Sequence, residues 1–370
     1  MIPSSGELLM RLGVDPAGAV AQELPHNRWL SPGVWQIRTG SGQRAVLKYA
    51  QCGRDRGQTA WDEHWTARDL DPHRWTYWCR EPLAYQYGLP GAYVGSGIAA
   101  PACLGTYIGD SDAAVLLERV DGRPGEGWPA AEFRPAAEAL GRAQAPFLLG
   151  RELPRVPWLS RDFLRDYSSE KPADWDLLDD DDAWQHPVIR ETFPDGLREG
   201  VGLVHASRER LYQISEALPR TLCHLDFWPK NLFRRPGGQI VLIDWAFTGL
   251  GAIGEDAGNL VPDAVLDHFV PAADLPALEQ AVFEGYLAGL RAAGWADDPR
   301  LVRLGMWSSS VKYDWMAAFT LSQVSRERQY RYGGGGEIDA GFRFRERSRV
   351  LLYLAGWARR ALDLAEELGR

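Results

Sequence analysis

The chain has 370 residues, 45% hydrophobic and 25% charged, proportions of an ordinary globular protein that is too long for one small core. Its 41 basic and 50 acidic residues give a formal net charge of −9, which argues against nucleic acid as a partner, because phosphate neutralisation needs a basic surface. No apolar run reaches the roughly 18 residues of a membrane helix, and the opening Met1-Ile2-Pro3-Ser4-Ser5-Gly6 lacks the basic and apolar regions of a signal peptide.

Residues 1–27 read as a short helical lead-in. Val34-Trp35-Gln36-Ile37-Arg38 and Arg44-Ala45-Val46-Leu47-Lys48-Tyr49 read as strands joined by a hairpin turn at Thr39-Gly40-Ser41-Gly42. Residues 51–75 are polar with interspersed Trp61, Trp65 and Trp75, a loop with at least one helical turn. Glu81 to Tyr87 reads as a helix closing near Gly88, and Ala113 to Glu118 as a strand broken by Asp121-Gly122-Arg123-Pro124-Gly125. Helical periodicity then dominates, with helices expected over Phe133 to Leu149 and Arg198 to Leu218. Leu222 to Asp244 is strand-like around a turn at Arg235-Pro236-Gly237-Gly238. The tail from Leu275 is helical apart from Gly333-Gly334-Gly335-Gly336.

Cys52, Cys79, Cys103 and Cys223 lack C-x-x-C spacing, which predicts reduced thiols in a cytoplasm. A zinc site from Cys52, His64, His73 and Cys79 would match no common zinc module. The sixteen tryptophans are expected mainly in the core and between lobes.

The chemistry concentrates in His224-Leu225-Asp226-Phe227-Trp228-Pro229-Lys230-Asn231, followed by Val241-Leu242-Ile243-Asp244-Trp245. Phosphoryl transfer needs a carboxylate to orient a hydroxyl and take its proton, and hard oxygen ligands for the Mg²⁺ that neutralises a triphosphate. A loop with Asp226 and Asn231, and a hairpin returning to Asp244, can gather these oxygens around one nucleotide.

This segment resembles the H-x-D-x-x-P-x-N … I-D-W pattern of the aminoglycoside phosphotransferase and choline kinase family, and the catalytic loop of protein kinases. The resemblance covers roughly residues 25–265. It implies a two-lobed, protein-kinase-like α+β fold: an N-terminal nucleotide-binding lobe over residues 1–118 with a small antiparallel sheet, and a larger, mainly helical C-terminal lobe over 119–370. It implies an ATP- and Mg²⁺-dependent phosphotransferase, with Asp226 as catalytic base, Asn231 and Asp244 as metal ligands, and His224 and Asp256 as scaffold. Ala45-Val46-Leu47-Lys48 resembles the strand bearing the nucleotide-binding lysine, with Glu81 as its helix partner and Glu63 as the competitor. Leu116-Leu117-Glu118-Arg119-Val120-Asp121-Gly122 resembles the hinge, where the Glu118 carbonyl and the Val120 N–H would hold adenine. Leu30-Ser31-Pro32-Gly33-Val34 lies where a phosphate-covering loop belongs, with Ser31 and Gly33 as contacts. The chain departs from the family at Gly251-Ala252-Ile253, where Gly-Asp-Pro is common.

The expected partner is a small hydroxyl-bearing acceptor, an aminoglycoside or amino sugar if the six aspartates between Asp174 and Asp182 attract a cation. Asp179, Asp180, Asp181 and Asp182 would supply the charge, with Trp175 and Trp184 packing against a sugar face; a solvated loop is the alternative. A neutral sugar or choline-like metabolite, and a nucleotide-binding pseudokinase, are the competing functions. Intact Lys48, Asp226, Asn231 and Asp244 favour an active enzyme. The absence of a D-F-G to A-P-E segment after Asp244 disfavours a protein kinase. The expected assembly is a monomer or homodimer, without nucleic acid or membrane.

Overall fold

The computed structural model describes residues 3–26, 31–53, 70–171, 173–325 and 339–370. Glu63, His64, Trp61, Trp65 and the Gly333 to Gly336 run lie outside the described residues.

The N-terminal part is built on a five-stranded antiparallel sheet: β1 (Val20–Glu23), β2 (Gly33–Arg38), β3 (Arg44–Gln51), β6 (Asp112–Glu118) and β5 (Cys103–Ile108), in that spatial order. Along β3, alternation sends Ala45, Leu47 and Tyr49 to one face, where they pack with Leu8 and Leu9 of α1 (Ser5–Arg11). Lys48 faces the opposite side, paired in register with Val115 of β6. That face is covered by helix α2 (Arg80–Gln86), whose Ala84 and Tyr85 share a buried cluster with Val115 and Leu117. A lysine flanked by alternating apolar residues is thereby turned toward the helix that carries Glu81.

Two strands of this sheet escape the sequence reading. β1 is exposed at all four residues and is held by backbone pairing to β2, so it leaves no apolar alternation to read. It joins α1 in a lead-in expected to be helical. In β5 a register shift between Cys103 and Gly105 breaks the period.

The chain leaves the first sheet at Glu118. The next strand, β7 (Arg123–Pro124), belongs to a second sheet with β9 (Leu232–Arg234), β10 (Ile240–Leu242) and β4 (Ile98–Ala99). β4, which precedes this passage, pairs in parallel with β10. Leu222 to Asp244, read as one strand-like stretch, resolves into β8 (Arg220–Cys223), β9 and β10. β8 pairs instead with β11 (Gly249–Ala252). The expected turn closes through Gly238 N–H to the Arg235 carbonyl, with Gly237 and Gly238 both at φ 90°.

The remainder is helical: α3 (Phe133–Leu148), α4 (Phe163–Ser169), α5 (Asp181–Gln185), α6 (Pro187–Thr192), α7 (Leu197–Glu216), α8 (Glu255–Leu266), α9 (Leu275–Ala292), α10 (Arg300–Ser308), α11 (Trp315–Ser325) and α12 (Ala340–Glu367). Helices α3 and α9 run with backbones in close approach: a side chain at Gly141 would strike the Tyr286 carbonyl, and one at Gly289 the Glu138 carbonyl. One large apolar cluster runs from α3 through α8, α9 and α12 and includes Trp128, Trp158, Trp245, Trp295 and Trp357. The architecture is the two-lobed, kinase-like α+β fold expected from the sequence.

Candidate active site

The site begins at Lys48. Its ammonium meets the Glu81 carboxylate in a close ion pair and donates to Asp244 Oδ1 at 2.9 Å. Burial alone would depress this lysine, yet Asp244 and then Glu81 hold it above its ordinary range. Glu81 is raised by burial despite Lys48. For Asp244, burial pushes up and Lys48 pulls down more strongly, leaving the carboxyl below its usual value. A strand, a helix and the end of the β9–β10 hairpin thus converge on one cation.

The catalytic-loop segment leaves β8 at Cys223 and returns as a 3-10 turn over Pro229–Asn231 before β9. Two non-glycine residues here have left-handed backbone, Leu225 (φ 65°) and Asp244 (φ 63°). Such conformations cost of order 1–3 kcal/mol and persist where the surroundings impose them. Asp256, near the start of α8, does so for the first. It accepts the His224 N–H at 2.8 Å and the Leu225 N–H at 2.7 Å. Gln144 of α3 donates to the same carboxylate at 2.7 Å. His224, fully buried, donates from Nε2 to the Ile243 carbonyl at 3.0 Å, joining the loop to the residue before Asp244. Burial drops its pKa to about 4, so it serves as a neutral strut.

Asn231 donates from Nδ2 to the Asp226 carbonyl at 2.9 Å and to Asp226 Oδ2 at 2.7 Å. This fixes the Asp226 carboxylate and leaves the Asn231 amide oxygen free of these bonds. Burial, with Asp244 adding to it, pushes the Asp226 carboxyl to about 7, opposed by Lys312. Lys312 is itself buried and pairs with Asp263 of α8 at 3.1 Å. The carboxylate of Asp244 and the amide oxygen of Asn231 are hard oxygen groups that could hold Mg²⁺, an ion that takes few protein ligands and completes its shell with substrate phosphate and water.

Other expected site residues are placed as follows. Ser31 lies in the β1–β2 connection, where a phosphate-covering loop would lie. Gly33 opens β2 opposite Tyr49, and the Trp35 ring fills the space of its missing side chain, so packing alone demands glycine there. Glu118 ends β6, with its carboxylate paired to Arg235, and Val120 follows in the passage between sheets.

The acidic segment is largely engaged in its own structure. Asp180 caps α5 through the Asp182 N–H, Asp181 pairs with Arg198 at 2.6 Å, and the Asp179 carbonyl accepts from Arg198 at 3.0 Å. Trp184, expected on a sugar face, is a core residue instead, donating to the Leu178 carbonyl at 3.0 Å. Trp175 stacks its ring 4.6 Å from His205. Cys52 and Cys79 sit in an apolar cluster with Trp78, and burial raises the Cys79 thiol to about 12.

Sequence reasoning missed three supporting residues. Arg80, fully buried beside Glu81, donates to the carbonyls of Trp158 (2.7 Å), Trp75 (2.9 Å), Ala246 (3.0 Å), Pro72 (3.0 Å) and Arg74, tying α2 to the chain just past Asp244. Gln144 and Lys312 complete the set. Their one readable signal is a polar side chain on an otherwise apolar helical face.

The model of the phosphotransferase enzyme family matches residues 25–296. Among solved structures, an aminoglycoside phosphotransferase from Alicyclobacillus acidocaldarius aligns over 100% of this chain and 97% of its own, at 14% identity and TM-score 0.51. The amicoumacin kinase hAmiN, in complex with AMP-PNP, Ca²⁺ and Ami, aligns over 90% and 89%, at 13% identity and TM-score 0.51. At these identities the likeness is one of fold. No curated protein sequence matches the chain.

Proposed function

The chain belongs to the phosphotransferase enzyme family, and from that premise we propose that it moves the γ-phosphoryl group of ATP, with Mg²⁺, to a hydroxyl group of a small molecule. The observation that carries this reading is the convergence of Glu81 and Asp244 on Lys48, beside an Asp226 carboxylate fixed by Asn231. Lys48 would neutralise and position the phosphates as a buried point charge. Asp226 would orient the acceptor hydroxyl and take its proton while the oxygen–phosphorus bond forms and the bond to ADP breaks. Asp244 and Asn231 would hold Mg²⁺, which supplies charge neutralisation to the triphosphate. Glu118 and Val120 would meet adenine through backbone groups, and Ser31 would meet phosphate.

A thermal-shift comparison of ATP with and without Mg²⁺ tests the nucleotide site. An ATP-consumption assay over hydroxyl-bearing metabolites tests transfer. Absence of Mg²⁺-dependent stabilisation by ATP would sink the reading.

A further inference from the structure

Asp256 accounts for the left-handed backbone of Leu225, but the left-handed backbone of Asp244 (φ 63°) needs a cause of its own. Two carbonyls bracket it. That of Ile243, just before, accepts from His224 Nε2 at 3.0 Å, and that of Ala246, two residues on, accepts from Arg80 Nη1 at 3.0 Å. His224 belongs to the catalytic loop and Arg80 opens α2. Asp244 therefore turns between two points that are fixed by different elements.

All the hydrogen bonds of the Arg80 side chain go to backbone carbonyls. Nε donates to Trp158, Nη1 to Trp75 and Ala246, and Nη2 to Pro72 and Arg74, which uses the five N–H groups of the guanidinium. A fully buried cation is a costly way to gain stability, because an apolar side chain of similar size avoids the desolvation penalty. What a guanidinium adds is direction: a rigid fork that fixes the spacing of the groups it holds. One nitrogen, Nη1, joins the Trp75 carbonyl to that of Ala246, and the Trp75 ring stands edge-on to Phe247 at 5.4 Å. The segment before α2 and the segment after Asp244 are thus joined twice, once by a polar link and once by an apolar one. Trp75 also shares a buried cluster with Leu225, the neighbour of Asp226.

Building on the kinase reading, we propose that Arg80 is a positioning residue for the candidate metal ligand Asp244. By holding the Ala246 carbonyl it keeps Asp244 in the left-handed conformation in which its carboxylate meets Lys48. It does so from the position next to Glu81, the other partner of Lys48. One end of one helix thereby sets the lysine, through Glu81, and the metal-binding carboxylate, through Arg80. Arg80 touches neither nucleotide nor metal; it acts through the backbone of residues 244–246. Without it Asp244 relaxes and metal binding weakens, while the hinge contacts to adenine, which do not pass through residues 244–246, persist.

The test uses the full chain. Calorimetry gives the affinity for adenosine, and the affinity for AMP-PNP with and without Mg²⁺, whose ratio is the metal gain. Arg80→Met should lower the metal gain by about 10- to 100-fold, the worth of one hydrogen bond to a charged group, and leave adenosine affinity within about twofold of the wild type. Phe247→Leu, at a half-buried position, keeps Arg80 and loosens only the apolar link. It should lower the gain by about 2- to 10-fold, the worth of one edge-to-face ring contact. Leu354→Ala is the control: it removes a buried side chain from α12 and should lower the melting temperature while leaving the gain as in the wild type. All measurements are made below the melting transition of each variant. If Arg80→Met does not fold, Phe247→Leu decides alone. An unaltered gain in folded Arg80→Met or in Phe247→Leu overturns the inference. So does an adenosine affinity that falls as far as the gain, or an equal loss of gain in Leu354→Ala. In those cases a wild type that shows the metal gain keeps the kinase reading; a wild type without it removes both.

Discussion

The carboxylate of Asp256 accepts the backbone N–H of Leu225 at 2.7 Å, and Leu225 holds a left-handed φ of 65°. A residue on a helix thus imposes on a strand-to-loop junction a conformation that leucine alone would avoid. Asp256→Ala removes the acceptor for two buried amides and for Gln144. It should cost roughly 2–5 kcal/mol and depress turnover as Leu225 relaxes. Urea unfolding and single-turnover transfer check both; unchanged stability would mean that Leu225 is held by something else.

Asp226→Asn should leave folding and nucleotide binding in place and lower turnover by roughly 10²–10⁴-fold, the usual span of general-base contributions. Steady-state kinetics on the acceptor found by screening provides the check. Near-normal turnover would remove Asp226 from the base role.

Asp244→Ala should abolish the Mg²⁺-dependent gain in stability with ATP, whereas Asn231→Ala should weaken it less, since one loses a charged ligand and the other a neutral one. Calorimetric titration of Mg²⁺ in the presence of AMP-PNP separates the two. Lys48→Met belongs to the same experiment. It should slow transfer more than it weakens adenine binding, and Glu81→Gln should give a milder defect of that kind.

Arg80→Met should be among the most destabilising single changes in the protein. It takes the guanidinium donors from five carbonyls, those of Trp158 and Trp75 in fully buried contacts, and the loss should be at least about 3 kcal/mol. Arg80→Lys should fare little better, because one ammonium cannot span the fork of contacts to Trp158, Trp75 and Ala246. Thermal melts of the two variants decide this.

The buried carboxyl of Asp267 makes a prediction about pH. Burial raises the Asp267 carboxyl from 3.8 to about 7, against the pull of Lys230 and Arg347 and with Asp263 and Glu126 adding to the rise. Burial and the neighbouring Arg347 and Arg343 lower the His268 pKa to about 4, so it is neutral over the upper part of this range. A carboxyl whose folded pKa exceeds its unfolded one binds more protons when folded, so its contribution to stability is complete below about pH 4 and is lost as the pH rises to 7. Asp267→Asn lacks this titration. Its stability relative to the wild type should therefore improve between pH 4 and 7 by on the order of 1–3 kcal/mol. Parallel curves from chemical denaturation across that range would refute the assignment of a buried, ligand-free carboxyl.

The candidate reacting groups are legible in the sequence because they sit in short runs whose spacing has chemical meaning. His224 to Asn231 and the return to Asp244 form one loop and one hairpin, and Lys48 and Glu81 sit on a strand and a helix with clear apolar periods. What supports them was not legible. Gln144 and Lys312 reach the loop through tertiary packing, and Arg80 binds carbonyls that carry no sequence signature. For the acidic run, composition displays charge but not whether it caps a helix, as Asp180 does, or meets an arginine, as Asp181 does.

Gln144 also accepts a hydrogen bond from the Tyr286 hydroxyl at 2.5 Å, so the seam between α3 and α9 feeds directly into the Asp256 carboxylate. That seam closes only because Gly141 and Gly289 present a hydrogen atom where any other residue presents carbon. One added methyl at Gly289 would wedge the two helices apart and swing Gln144 away from Asp256. In a genetic screen such a lesion would look like damage to the active site while touching none of its reacting groups. Part of the geometry of catalysis is stored here as missing atoms, in a place where a search confined to the cleft would never look.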